Sequence, residues 1–293
     1  VKLTVPVVAH SWPLTVAVLT ALLAVPGPAR AADLYWDANR TVPDLGSSGT
    51  WNLTNAFWDT AGDGVSGPYA AWNNAAIDNA IFDGVAGTVT LDTPITAHNL
   101  TFNTDGYLLT GSSLTLAGLT PTVTVNTNRN ATIDSVLAGS AGLTKDGGGG
   151  LFLNGDNTFT GDVTINSGRL SADDDAALGA AGNNIAIAAG ANVILDIRGD
   201  TDTARTVLIG DGGQVQLAGE RVGSAQISGN GNVYVAFDNL ALSNDASDYT
   251  GSTTFRGCNG VCSFYFTSIG NLGEASSLGA PTAITNNGVF RLN

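Results

Sequence analysis

His98, Cys258, Cys262, the run Asp173-Asp174-Asp175 and the tryptophans Trp36, Trp51, Trp58 and Trp72 are the residues whose types and spacing invite chemistry. A Ser-His-Asp relay would have to use His98, because the other histidine lies in a leader-like start. His98 sits in Thr96-Ala97-His98-Asn99-Leu100, at a strand entry, and no nucleophile-elbow motif accompanies it. It reads as a surface or turn histidine, and no catalytic residue is assigned.

Glycoside hydrolysis needs two carboxylates about 5 to 10 Å apart. Asp173, Asp174 and Asp175, beside Asp200 and Asp202, could supply them if neighbouring rungs stacked at about 4.8 Å. The run precedes Ala176-Ala177-Leu178-Gly179, however, and reads as a solvated turn. The same aspartates could hold calcium, but no Gly-Gly-x-Gly-x-Asp nonapeptide recurs. No metal or cofactor is assigned. Gly147 to Gly150 is not a phosphate loop, since Lys145 precedes the glycines and no Gly-Lys-Ser/Thr follows. It reads as a tight corner where Cβ atoms would clash.

Cys258 and Cys262 are expected to pair as a disulfide around the turn-prone Asn259-Gly260. A metal or redox pair would need further ligands, and His98 is the only histidine outside the leader. The four tryptophans alternate with Asn and Asp and have two readings. They close the open end of a stack as packing elements, or they contact glycans through ring faces.

The elements that must position these residues are short. Only 12% of the chain is charged, Met is absent, and 38 residues are Gly. Thr, Val, Ile and Asn favour strands and turns over long amphipathic helices. Lys2, the apolar run Leu14 to Val25 and Ala29-Arg30-Ala31 predict a signal peptide over residues 1–31, cut after Ala31. Without Lys2 and Arg30 the chain carries 9 basic against 25 acidic residues, a balance of −16. That disfavours a nucleic-acid partner.

Residues 32–87 hold the four tryptophans and read as an N-terminal cap or entry rung. From Thr88 to Asn293, apolar residues alternate in short runs separated by turns: Val89 with Leu91, Leu100 with Phe102, Leu114 with Leu116, Val123 with Val125. The clearest unit is Gly142–Leu170, with apolar pieces at Leu143, at Leu151 with Leu153, and at Val163 with Ile165. Each piece is too short to bury a core alone, so the unit needs like neighbours above and below it. The expected fold is all-β, a parallel β-helix solenoid with rungs of about 20 to 30 residues. Asn157–Ile165 recurs as Ser247–Phe255, ninety positions on, and Ala177-Leu178-Gly179 as Ser277-Leu278-Gly279. The strand-like Val289–Leu292 directly before Asn293 leads us to expect a longer natural protein with this as its N-terminal portion.

Gly142-Leu143-Thr144-Lys145, the glycine run, Leu151–Leu153, Asn157-Thr158-Phe159-Thr160-Gly161 and Thr164-Ile165 with Gly168 and Leu170 resemble the autotransporter-associated β-strand repeat of bacterial passenger domains. The resemblance implies a right-handed, single-stranded parallel β-helix. It implies export through the periplasm to the cell surface or medium, and an outer-membrane translocator barrel if a C-terminal part is missing. It implies a non-catalytic, adhesin-like rod whose loops meet a host or matrix surface or its glycans. The competing expectation is a carbohydrate-active enzyme or sugar-binding module on the same fold.

Overall fold

Period-two alternation becomes strands whose apolar side chains point inward at every second position. Thr88–Leu91, Leu100–Phe102, Thr122–Val125 and Asn130–Ile133 all follow it, with Val89, Leu91, Leu100, Phe102, Val123, Val125, Ala131 and Ile133 buried. The computed structural model describes residues 31–40, 44–65, 67–199, 203–218, 225–235, 241–242, 247–255, 265–266 and 283–286. Outside them lie the leader up to Arg30, Asp200, Asp202, Cys258, Cys262, Ser277–Gly279 and Val289–Leu292, so the predicted signal peptide and disulfide have no structural description.

The described chain from Ala31 onward is a parallel β-solenoid. One sheet stacks Asp33–Trp36, Asn79–Phe82, Leu100–Phe102, Thr122–Val125, Leu143–Asp146, Val163–Ile165, Ile185–Ile187, Thr206–Ile209 and Gln226–Gly229. A second stacks strands from Gly49–Trp51 through Gly150–Leu153, Gly168–Ala172, Asn192–Ile197 and Gln214–Ala218 to Ala283–Asn286. A short third sheet joins Ile95–Ala97, Leu114–Leu116 and Leu137–Ala138. One inward column of the first sheet runs Ala80, Leu100, Val123, Lys145, Ile165, Ile187, Ile209, Gly229, in steps of 20 to 23 residues. The turn length therefore lies at the short end of the expected range. Among the described residues the only helix is the single 3-10 turn Ala176–Leu178.

At the first rung the parallel ladder gives way to antiparallel pairing. Trp58–Asp59 pairs antiparallel with Asp33–Trp36 and then with Tyr69–Ala70. Trp58 packs 4.7 Å from Trp72, 4.8 Å from Trp51 and 5.3 Å from Trp36, centroid to centroid. Phe82 and Phe102 continue the aromatic stack into the next two rungs, 4.9 Å apart. Short Asn and Asp ladders tie the corners. Asn103 donates to Asp83 at 2.8 Å and accepts from Asn126 at 2.8 Å.

The two copies of the recurring motif dock alike but on different faces. Thr158 N and Thr160 N donate to Leu137 O and Gly139 O, and Asp248 N and Thr250 N to Ile227 O and Gly229 O. Leu137 belongs to the third sheet, whereas Ile227 belongs to the first. The motif therefore encodes a corner leading into a strand, and either face accepts it.

Candidate functional site

The residues nominated by sequence are mostly committed to structure. Trp36, Trp51, Trp58 and Trp72 are at most 2% exposed. They pack on one another in tilted and edge-on geometry, which gives all four a packing role in the cap. Trp36 and Trp72 also donate their indole N–H groups to Ser47 O at 2.8 Å and Thr96 O at 2.9 Å. His98 is half-buried at the end of Ile95–Ala97, with Nε2 3.2 Å from Leu119 O and Nδ1 3.3 Å from the Asn99 amide.

The aspartate run is a turn, but not a freely solvated one. Asp174 accepts from Ala177 N at 3.1 Å. Asp175 takes Arg205 Nε at 2.8 Å and Nη2 at 3.1 Å. The Arg205 guanidinium also donates to the carbonyls of Asp175, Gly179, Ala180 and Asn183 at 2.7 to 3.0 Å. A small cavity of about 270 Å³ opens beside this corner, and its arginine has its donors filled from within the fold.

Lys145 points inward, between Val123 and Ile165. Its ammonium reaches the carbonyls of Asp146 and Gly147, both at 2.7 Å, and Ser167 at 3.3 Å. Burial lowers its pKa to about 8, partly offset by Asp146. The glycine run is the corner that the sequence predicts. A Cβ on Gly149 would lie 2.4 Å from Arg129 O, and one on Gly168 2.4 Å from Gly149 O.

The candidate site lies just outside that corner, on the outer face of the second sheet. A groove of about 400 Å³ runs across the rungs between Asn130 and Gln216, with Gly148, Gly149, Gly150 and Gly168 as floor and Arg169, Asn192 and Ile194 alongside. Asn130, Gly150, Arg169, Ile194 and Gln216 fall in one register column. Next to it, Asp196 binds Arg169 and accepts from Arg198 at 2.9 Å and from Ser171 Oγ at 3.1 Å. Burial works to raise the Asp196 carboxyl, but hydrogen bonds and charge from Arg169 and Arg198 outweigh it and hold it below the usual carboxylate range. Both guanidiniums lie over the Phe152 ring, at 5.4 and 6.0 Å from its centroid. Arg169 and Arg198 keep 34% and 51% of their side-chain surface exposed, while Asp196 keeps 5%. The groove is thus a polar, locally cationic trough in a strongly acidic chain.

Sequence reading missed this cluster, since Arg169 and Asp196 are 27 positions apart and meet only through register. The sole cue was two arginines and an aspartate at outward positions of alternating strands. Among the described residues no group of three or more His, Cys, Asp or Glu is placed to hold a metal.

The family described as passenger-associated-transport-repeat matches residues 143–172, which cover the Lys145 corner and the groove floor. Over 276 residues, 94% of this chain, the sequence is 48% identical to the Adhesin BmaC autotransporter of Brucella suis biovar 1 (strain 1330). The chain thus carries one passenger-associated-transport-repeat and is similar along most of its length to a stretch of an autotransporter adhesin. It spans 8% of that relative's length. No solved structure matches it. The repeat match includes Gly148, Gly149, Gly150, Gly168 and Arg169, so the repeat that sets the stacking also supplies the groove's floor.

Proposed function

We propose that this chain is an adhesin-like, surface-displayed stretch of an autotransporter passenger, a non-catalytic stack of rungs that presents outer faces and corners for interaction with a host or matrix surface. The observation that carries the reading is its 48% identity, along 94% of its length, to a stretch of an autotransporter adhesin. The fold supports it physically. Apolar side chains fill the interior from Leu34 to Val235, and the buried cations Lys145 and Arg205 are held by backbone carbonyls and one carboxylate. Recognition is then a matter for outward positions. The reading includes export through residues 1–31 and cleavage after Ala31.

The test is display. The chain is fused to a surface translocator in a non-adherent bacterium, and attachment to cultured epithelial cells and matrix-coated surfaces is counted. Attachment above that of the translocator alone supports the reading. Equal attachment on every surface, with display verified by antibody, overturns it.

A further inference from the structure

We propose that the groove between Asn130 and Gln216 binds an oligosaccharide carrying isolated carboxylates. The groove runs along a register column of adjacent strands, the length scale of a short glycan segment rather than a monosaccharide. Its rim offers side-chain amides, and each amide both donates and accepts, as vicinal hydroxyls require. Among the described residues, the side chains of Asn192 and Gln216 make no hydrogen bond, and Asn130 uses only its amino group, on Asp105 at 3.1 Å. Ile194 gives an apolar patch for the C–H face of a sugar.

Arg169 supplies the charge recognition. It gives one terminal nitrogen to Asp196, its Nε is buried without an acceptor, and a third of its side chain stays exposed. Two guanidiniums on one carboxylate leave a local charge of +1, against a chain total of −14. A densely sulfated polymer or nucleic acid meets that overall repulsion, whereas a glycan with one carboxylate per few sugars needs a single guanidinium. A peptide is the poorer fit. The floor strands have their backbone paired, with Gly149 N on Val125 O, Gly150 N on Arg129 O and Arg169 N on Gly149 O, so no edge is free for strand addition.

This site rests on the adhesin-like reading for its biological use, but it is tested on the purified full chain, so loss of adherence and loss of binding are separate results. Calorimetric titration at about 0.15 M salt uses a hyaluronan hexasaccharide, with chitohexaose, a heparin hexasaccharide and hexaglutamate as comparators. Hyaluronan is expected to bind best. Ile194→Trp, which fills the groove from an outward position, and Arg169→Gln are each expected to weaken it about tenfold or more, with circular dichroism unchanged. If Arg169→Gln disturbs folding, Ile194→Trp alone carries the test. Absence of hyaluronan binding, equal binding of chitohexaose, heparin or hexaglutamate, or full binding by Ile194→Trp overturns the proposal.

Discussion

Arg205 closes on Asp175 from 30 positions further along the chain, donating Nε and Nη2 to the two carboxylate oxygens at 2.8 and 3.1 Å. The same guanidinium collects four carbonyls of the 175–183 corner. One arginine from the next rung thus replaces the ladder hydrogen bonds that a strand would provide. Removing it strands a carboxylate and several acceptors. Arg205→Ala is expected to cost about 3 kcal/mol or more, and Arg205→Lys less, because a point charge cannot span the fork. Urea unfolding gives the loss, and limited proteolysis is expected to cut the variant first near residues 173–184.

Lys145 gives a pH signature. Its folded pKa of about 8 lies below the ordinary 10.5 because burial disfavours the ammonium. Between those values the unfolded chain binds more protons, so this residue makes stability rise with pH from about 8 upward, and below about 8 its cost is fully present. Unfolding midpoints from pH 7.5 to 9.5 are expected to show a gain on the order of 2 kcal/mol over Lys145→Met, whose profile lacks that term. The range stops short of 10 because the buried hydroxyl of Tyr249 is pushed up to about 12, which lowers stability as pH rises above 10.

The sequence exposed the stack more readily than the surface it carries. Strand positions follow from period-two alternation, and the pieces at Leu143, Leu151 with Leu153, and Val163 with Ile165 all fall on strands. Lys145 is also on that period, at an inward position, but its charge argues for outside until the carbonyl cluster at the glycine corner is known. Arg205 with Asp175, and Arg169 with Asp196, depend on turn lengths that vary between rungs, and a slip of one residue would turn either partner to the other face. The aligned copies at Phe159 and Tyr249 likewise share corner chemistry but dock against strands of different sheets, since face is set by the running count of residues and not by the motif.

Gly168 and Gly182 are separated by substitution. Gly168 has φ +75, and an added Cβ would lie 2.4 Å from Gly149 O and 2.5 Å from Gly147 O. Gly182 meets nothing within 4 Å. Gly168→Ala is expected to destabilise by about 2 kcal/mol or more, because both the backbone angle and the rung spacing resist it. Gly182→Ala is expected to be neutral or to stabilise by up to about 1 kcal/mol. Paired thermal melts give both values.

The aromatic cluster at the first rung should behave as core and not as a sugar platform. Trp58 touches Trp36, Trp51, Trp72 and Phe82 in tilted or edge-on geometry, and it is 1% exposed. Its ring spans the junction where antiparallel strands close the parallel ladder, so the space left by truncation cannot be refilled by one neighbour. Trp58→Ala is expected to cost about 3 to 5 kcal/mol. Trp72→Ala is expected to lose stability as well, with its indole N–H bond to Thr96 O removed. Tryptophan emission of the folded chain should be blue-shifted and move red in one step with urea, at a lower midpoint in both variants. Where each variant is still folded, glycan affinity should match that of the unsubstituted chain. A selective loss of glycan binding in folded Trp72→Ala would instead return a binding role to the cluster.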